Sequence, residues 1–396
     1  MDSKLPIPAN ELDRAMGLSD FNIDYTSTEN NFKDLARLAA SVAGTEISLV
    51  NLIDSYTQWT ISSHGLDIDQ MPREESVCQY TIVEDDHFEV DDLSQDIRFK
   101  DKFYVSQDPK LKYYYGIPLK SNGHNLGALC LMDRNIKTLA PEKTELLKII
   151  AEEIVNRLNA YKVIESLRDK VTEVTATQNK VVHDIRGPLG GIIGLAQIIS
   201  EQGKENNMDE VLEFINMIHK SGNSILELAD EILTSENKAT TLKGGELNLK
   251  TFREKLEKLY IPQARSKTID LSISISPETD NIPFSKSKLL QITGNLISNA
   301  IKFTATSGYV RVKLALIQKE SSNILKIIVE DSGTGLEQDK INSILSGDSG
   351  TTEGTDGEKG YGFGLALVKH LIDGLKGTLK ISSNQNGAKF EVELPQ

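Results

Sequence analysis

A single stretch, Val181-Val182-His183-Asp184-Ile185-Arg186-Gly187-Pro188-Leu189, restricts most sharply what this chain can fold into. Apolar residues at Val181, Ile185, Leu189, Ile192, Ala196 and Ile199 recur at helical spacing and make one buried stripe of an amphipathic helix. His183 lies off that stripe, so its imidazole is expected to point outward. Asp184 follows it directly, a carboxylate able to orient the ring or take its proton. Gly187, Gly190 and Gly194 stand four, seven and eleven residues after His183, leaving that face almost without side chains. Each interior glycine costs about 1 kcal/mol against alanine, so such a helix needs a bundle to hold it. Pro188 lacks an amide hydrogen and its ring clashes with the carbonyl of Asp184, which predicts a kink just below the histidine.

The next segment supplies the bundle partner. After a Gly- and Asn-rich turn at Gly203–Asn207, the residues Val211, Phe214, Ile215, Ile218, Ile225, Leu228 and Ile232 repeat as one apolar side of a second helix. Two helices of this length cannot bury both stripes alone, and a homodimer forming a four-helix bundle satisfies them, with 175–237 as the dimerisation region. Upstream, residues 154–181 read as a coiled-coil connector. Ile154, Leu158 and Tyr161 are spaced four and three, and Leu167, Val171, Val174, Gln178 and Val181 alternate four and three. Between Leu158 and Leu167 three steps of three fall together, a stammer-like break that locally overwinds a supercoil.

Beyond a polar linker at Lys238–Gly245, residues 246–396 read as an α/β sandwich. Strands are expected at Ile269–Ile275, Tyr309–Ile317, Leu325–Val329, Thr378–Ile381 and Lys389–Leu394, with helices at Leu249–Tyr260, Ser285–Phe303 and Ala366–Leu375. Within Ser285–Phe303, Gln291, Asn295, Asn299 and Lys302 share one polar face, and Leu289, Ile292, Leu296, Ala300 and Phe303 the other. Asparagine has poor helix propensity, and two such amides beside a lysine suit a Mg²⁺–phosphate pair, because Mg²⁺ prefers hard oxygen ligands. The strand ending at Glu330 runs into Asp331-Ser332-Gly333-Thr334-Gly335. A carboxylate fixed there can accept from an exocyclic amine such as that of adenine, and the glycines Gly333 and Gly335 let the backbone turn beside it. Gly360-Tyr361-Gly362-Phe363-Gly364-Leu365 opens the helix at Ala366, and glycine-rich turns at helix N-termini bind phosphate. The Gly-, Ser-, Thr- and Asp-rich segment Ser343–Lys359 has the composition of a mobile lid.

The front of the chain reads differently. Residues 1–24 are expected to form a loose, polar lead-in. From Phe32 to Ala43 comes a helix, then strands at Ile47–Ile53, Gln58–Ser62, Tyr114–Leu119 and Leu126–Met132, then a helix from Pro141. That is an α+β domain around an antiparallel sheet, spanning 25–160. The formal charge of −14 argues against a nucleic-acid-binding surface. No apolar run reaches membrane-spanning length and no signal peptide opens the sequence, so a cytoplasmic location is expected. Cys78 and Cys130 do not make a disulfide framework.

Four stretches, in order and spacing, resemble the core of bacterial two-component sensor histidine kinases. His183-Asp184-Ile185-Arg186-Gly187-Pro188-Leu189 matches the family's phospho-acceptor H box, and Asn299-Ala300-Ile301-Lys302-Phe303-Thr304 its N box. Asp331-Ser332-Gly333-Thr334-Gly335 matches its G1 box and Gly360–Leu365 its G2 box. The resemblance implies a Bergerat-type fold binding ATP, with Asn299 and Asn295 on Mg²⁺, Asp331 reading adenine, and Lys302, Gly333, Gly335, Gly360, Gly362, Gly364 and Leu365 around the nucleotide. It also implies His183 attacking the γ-phosphate with Asp184 as base, and transfer to an aspartate on the receiver domain of a separate response regulator. Gly187 departs from the family, which often carries Thr, Asn or Ser there to position a water for dephosphorylating the partner.

The front domain is similar to a GAF domain of the kind that precedes such kinases, through Arg73-Glu74-Glu75-Ser76-Val77-Cys78, Asp91-Asp92, Asp96-Ile97-Arg98-Phe99, Tyr115-Gly116-Ile117-Pro118-Leu119 and Gly127–Asp133. Its ligand or partner is not legible, and Cys78 lacks the following histidine usual for a covalently attached bilin. The fold class expected is thus multidomain α+β: a GAF-like sensor, a coiled-coil linker, a dimeric four-helix bundle and an α/β sandwich. Two other readings are a non-catalytic dimeric scaffold whose ATP site only switches conformation, and a plain ATPase of the gyrase or chaperone type, which lacks the His-Asp helix.

Overall fold

Ile47–Ile53 is apolar almost throughout rather than alternating, and such a run belongs in the middle of a sheet covered on both faces. A computed structural model of the chain places it there. The structure describes residues 6–26, 31–202, 207–234, 246–285, 288–318, 323–346 and 363–396, with backbone only at 169, 172–184, 202, 227–234 and 246. The turn at 203–206, the linker at 238–245, most of the lid and the glycines Gly360 and Gly362 lie outside the described residues.

The chain divides into two units, one of 1–162 with 247–396 and one of 163–246. In the first, the N-terminal domain opens with α1 (Glu11–Ser19) and α2 (Lys33–Ala43). Strands β1 (Ile47–Ile53), β2 (Thr57–His64) and β3 (Gln70–Pro72) follow, then the short α3 (Cys78–Thr81), β4 (Phe88–Val90), the short α4 (Phe103–Ser106), β5 (Tyr113–Ser121) and β6 (His124–Asp133). The sheet order is β3-β2-β1-β6-β5-β4, its pairings antiparallel. One apolar layer, with Ala36, Ala39, Leu129 and Leu131, lies under α2 and the start of α5 (Pro141–Gln202); the other, with Val77, Cys78, Phe99 and Cys130, lies under α3 and the loops.

Two sequence expectations change here. The lead-in is not loose, because Glu11–Ser19 is helical and Ala15 and Leu18 are buried. Ile154 and Leu158, counted both in the front domain (25–160) and in the coiled-coil seam (154–181), belong to the N-terminal core. The exposed apolar stripe of the connector begins at Tyr161 and continues through Ile164, Leu167 and Val171.

The polar residues of α1 have a partner far along the chain. Arg14 grips Glu11 with two hydrogen bonds of 2.8 Å, from Nε to Oε2 and from Nη2 to Oε1. Arg73 Nη1 donates to the same carboxylate, and all three side chains are buried. Arg14 Nη1 also donates to the Ile53 carbonyl (2.6 Å), and Arg73 Nη1 and N donate to the carbonyls of Asp54 and Tyr56 (3.3 and 2.9 Å). The cluster therefore fixes the β1–β2 turn. Burial alone would raise the Glu11 pKa, but the Arg14 and Arg73 charges and hydrogen bonds outweigh it and hold the carboxyl near 2, against an ordinary 4.5. A depressed carboxyl stabilises the fold above its unfolded pKa, and that stability is lost as pH falls through the folded one. The unfolding free energy from urea titrations should thus fall as pH drops from 4.5 toward 2, by about 3 kcal/mol in all from this group. Glu11→Gln should cost about 3–5 kcal/mol at neutral pH by breaking the buried ion pairs that Glu11 makes with Arg14 and Arg73, and a midpoint unchanged by the substitution would contradict this.

The C-terminal domain of the same unit starts with β7 (Glu246–Leu247) and α7 (Leu249–Ser266), whose first turn is capped by Asn248 Oδ1 accepting from Thr251 N (2.8 Å). Then come β8 (Asp270–Ile275), β9 (Phe284–Ser285), α8 (Leu289–Phe303), β10 (Tyr309–Gln318), β11 (Asn323–Asp331), α9 (Gln338–Ser346), α10 (Gly364–Gly374), β12 (Thr378–Asn384) and β13 (Gly387–Pro395). The five-stranded sheet runs β12-β13-β11-β10-β8, with only the β10–β8 pair parallel. In β11 and β13 buried residues alternate with half-exposed ones, so one face is covered; α7, α8 and α10 cover it. That is the two-layer sandwich expected from sequence. Helix α9 was not expected: its residues Ser343–Ser346 fall in the stretch read as lid.

The second unit holds the later part of α5, which continues through Pro188 to Gln202, and α6 (Met208–Thr234). The proline sits inside the helix and does not end it. Ile185, Ile192, Ile199, Val211, Phe214 and Ile218 are half-buried, while Leu189, Ile193, Leu212, Ile215 and Leu226 stay exposed. The hairpin leaves apolar surface uncovered, as the sequence argument for a partner requires.

Candidate functional site

Helix α8 carries the asparagine face inward. Gln291, Asn295, Asn299 and Lys302 are all buried, together with the apolar face of the same helix. A helix wet on one side would leave such amides to water, but here they are covered, in part by Tyr56 of the N-terminal domain. Asn295 Nδ2 donates back to the Gln291 carbonyl (2.9 Å). Asn299 differs: neither its amide oxygen nor its amide nitrogen makes a hydrogen bond of good geometry among the described residues, and the neighbour within reach of it is the Tyr56 phenol. A buried polar group left unpaired costs about 1–3 kcal/mol, and native folds keep such a group where a ligand completes it. The donor set fits Mg²⁺, which takes amide oxygens together with phosphate oxygens and water. Lys302 Nζ lies 5.6 Å from the Tyr56 ring centroid and 5.7 Å from that of Phe303.

Asp331 ends β11. Its Oδ1 accepts from the backbone amides of Gly333 (2.8 Å) and Ala388 (3.2 Å), which aims the carboxylate across the end of the sheet. Burial raises its pKa above the usual carboxylate range, with the two amides pulling the other way. The glycines beside it are required by close approach. A β-carbon on Gly333 would stand 2.2 Å from the Phe303 carbonyl oxygen. Gly335 has φ of +71°, and a β-carbon there would meet the Asn384 carbonyl oxygen at 1.9 Å. The Gly333 contact holds the Asp331 turn against the C-terminal end of α8, the helix of Asn299, and the Gly335 contact holds it against the end of β12. Gly364 opens α10, and Leu365 packs on the same core. The fold thus gathers Asn295, Asn299, Lys302, Asp331, Gly333, Gly335, Gly364 and Leu365 in one domain.

One element at this site is absent from the sequence reading. Tyr56, in the β1–β2 turn of the N-terminal domain, places its Cε2 and hydroxyl 2.3 and 2.5 Å from where a Gly364 β-carbon would stand. Its phenol also lies beside Asn299, and burial pushes its pKa up. His183 and Asp184 lie within α5, their side chains outside the described residues. Ideal β-carbons on Gly187, Gly190 and Gly194 meet nothing within 4 Å, so that face of α5 is open.

Among the described residues no helix is long and apolar enough to cross a membrane. A cavity of about 270 Å³ in the N-terminal domain is lined by Asn51, Ile68, Met71, Cys78, Tyr114 and Met132, among others. Cys78 is buried and accepts from Asn51 Nδ2 at 3.3 Å.

Three family models match in sequence order. The GAF domain matches residues 27–158, the His Kinase A (phospho-acceptor) domain 177–239, and the histidine kinase-, DNA gyrase B- and HSP90-like ATPase 285–396. The chain carries these three domains in that order, and the relatives it matches include sensor histidine kinases. It is 32% identical over 227 residues to the autoinducer 2 sensor kinase/phosphatase LuxQ of Vibrio vulnificus, covering 54% of this chain and 26% of that protein. To an uncharacterized sensor-like histidine kinase of Rhizobium meliloti it is 30% identical over 294 residues, covering 70% and 51%. A cyclic di-GMP phosphodiesterase of Pseudomonas aeruginosa is 33% identical over 159 residues, covering 40% and 27%. The chain thus spans from about a quarter to half the length of these relatives. Among solved structures, the catalytic domain of histidine kinase ThkA is similar at 22% identity and a TM-score of 0.32, covering 38% of this chain and 93% of that one.

Proposed function

We propose that this sensor kinase phosphorylates His183 from ATP and passes the phosphate to an aspartate on the receiver domain of a separate response regulator. The unsatisfied buried amide of Asn299, in an ATPase-type domain joined to a phospho-acceptor helix, carries this reading. Asp331 accepts from the adenine amine, the Gly333 and Gly335 turn lets the base approach the backbone, and the N-terminus of α10 with Lys302 holds phosphate oxygens. Asn299, with Asn295 one turn before it, would hold Mg²⁺, whose charge offsets that of the phosphates. The His183 imidazole attacks the γ-phosphorus; a nitrogen–phosphorus bond forms as the bond to the bridging oxygen breaks, and Asp184 takes the ring proton. The second nucleophile is the aspartate of the regulator.

The apolar surface left uncovered on α5 and α6 supports a homodimer pairing two hairpins as a four-helix bundle. The composition supports a cytoplasmic protein. The cavity between β1 and α3 is where a small sensor ligand fits. Phosphotransfer profiling of the purified chain against receiver domains tests the whole reading: label should move from the chain to one receiver, and failure to label any would contradict it.

Two further results are expected. Gly187 offers no side chain to order a water, so a phosphorylated regulator should decay nearly as fast without the protein as with it, and Gly187→Thr should raise the rate about tenfold. Strong phosphatase activity in the unmodified chain would contradict this. The connector should obey a phase rule. Seven residues inserted after Leu167 keep the exposed stripe facing its partner and should preserve regulated autophosphorylation. Two residues turn it by about half a turn and should lock activity high or low. An insertion series of one to seven residues showing no periodicity would make the connector a passive tether.

A further inference from the structure

The N-terminal domain docks on the nucleotide-binding domain through a built interface, within one compact unit. Trp59 and Ala15 belong to the same apolar cluster as the residues of α7 and α8. Tyr25 stacks on Trp59 with centroids 4.8 Å apart, and Trp59 meets Tyr260 edge-on at 6.1 Å. Polar contacts ring this core. Gln70 Nε2 donates to the Leu259 carbonyl (2.7 Å), and Gln263 Nε2 donates to Gln70 Oε1 (2.8 Å). Lys255 pairs with Asp24, and the Lys288 amide donates to Asn22 Oδ1 (3.0 Å).

At the edge of this interface the β1–β2 turn delivers Tyr56 to the residues expected to hold the phosphates. Its ring sits over Gly364 at the start of α10, beside Asn299, with Lys302 Nζ 5.6 Å from its centroid. Those three groups are the helix N-terminus, the amide and the cation on which the nucleotide reading rests. The turn is not a loose tip: Arg14 and Arg73 hold the carbonyls of Ile53, Asp54 and Tyr56. A rigid aromatic plug costs little further entropy to seat.

We propose that Tyr56 occupies the phosphate end of the nucleotide site, so that docking of the sensor domain and binding of ATP exclude one another. This rests on the ATP reading above. The sensor domain is then an intramolecular competitor, and a signal that loosens its grip on α7 and α8 raises kinase activity by freeing the site. A docked state favoured about ten to one raises the apparent dissociation constant about tenfold.

The test measures affinity rather than turnover. The full chain, Tyr56→Ala and Asp24→Lys are titrated with a fluorescent, non-hydrolysable ATP analogue in Mg²⁺. Asp24→Lys sets like charges against Lys255 without touching the nucleotide residues, so it loosens the interface even where Tyr56→Ala folds poorly. Both variants should bind about tenfold tighter than the parent, and Lys255→Asp added to Asp24→Lys should restore the weaker binding. Saturating analogue should also raise amide hydrogen exchange at Ile53–Thr57 in the parent. Equal affinity in all proteins with unchanged exchange overturns the competition alone. No binding by any of them overturns the nucleotide reading and this proposal with it.

Discussion

Asn299→Ala should remove Mg²⁺-dependent nucleotide binding, by at least about a hundredfold, without weakening the empty fold. The two effects have one cause. Asn299 is buried and neither amide atom makes a hydrogen bond of good geometry among the described residues, so the free protein carries a desolvation cost of about 1–3 kcal/mol that the nearby Tyr56 phenol offsets only in part. Alanine deletes the cost and the ligand contact together. Calorimetric titration with ATP and Mg²⁺ should show no saturable binding, while the melting temperature of the nucleotide-free protein stays level or rises. Retained affinity would place the metal elsewhere. A strong loss of thermal stability would show that Asn299 is a packing residue whose partner has been misidentified.

The second large effect is expected at His183. His183→Gln keeps a polar side chain able to hydrogen-bond but has no nitrogen nucleophile, so labelling from γ-labelled ATP should fall to background, a loss of about a thousandfold or more. Binding of a non-hydrolysable analogue should be unchanged, because His183 lies on α5 and the nucleotide residues lie on α8, β11 and α10. This separates loss of the acceptor from loss of the donor, which Asn299→Ala removes. Label surviving His183→Gln would mean that another residue accepts the phosphate.

Much of this architecture was legible because local pattern and tertiary role agree. Ile47–Ile53 reads as a strand from its sequence and is one, in the middle of its sheet. The α8 pattern is informative because buried asparagines are costly in a helix, so their recurrence at one turn signals a site. Other features depend on partners distant in sequence. Helix α1 falls in the stretch read as a loose polar lead-in, yet its Glu11 is neutralised by Arg73, 62 positions away. Ile154 and Leu158 have coiled-coil spacing, but the apolar underside of the N-terminal sheet claims them first. Helical period alone cannot say whether a stripe meets a second helix or a sheet. The segment containing α9 is rich in Gly, Ser and Asp around a short apolar pair, Ile341 and Ile344, whose burial decides its conformation. Nothing in the sequence singles out Tyr56, since its significance comes from a neighbour in another domain.

The central claim is that the chain stores a phosphate on one imidazole. The most direct measurement is to incubate the purified protein with Mg²⁺ and γ-labelled ATP, digest it at alkaline pH and locate the phosphate by mass spectrometry. The account predicts a single acid-labile, base-stable phosphate on the peptide containing His183, at the histidine itself. Phosphate stable to acid, phosphate on another residue, or no phosphate with nucleotide demonstrably bound would contradict it.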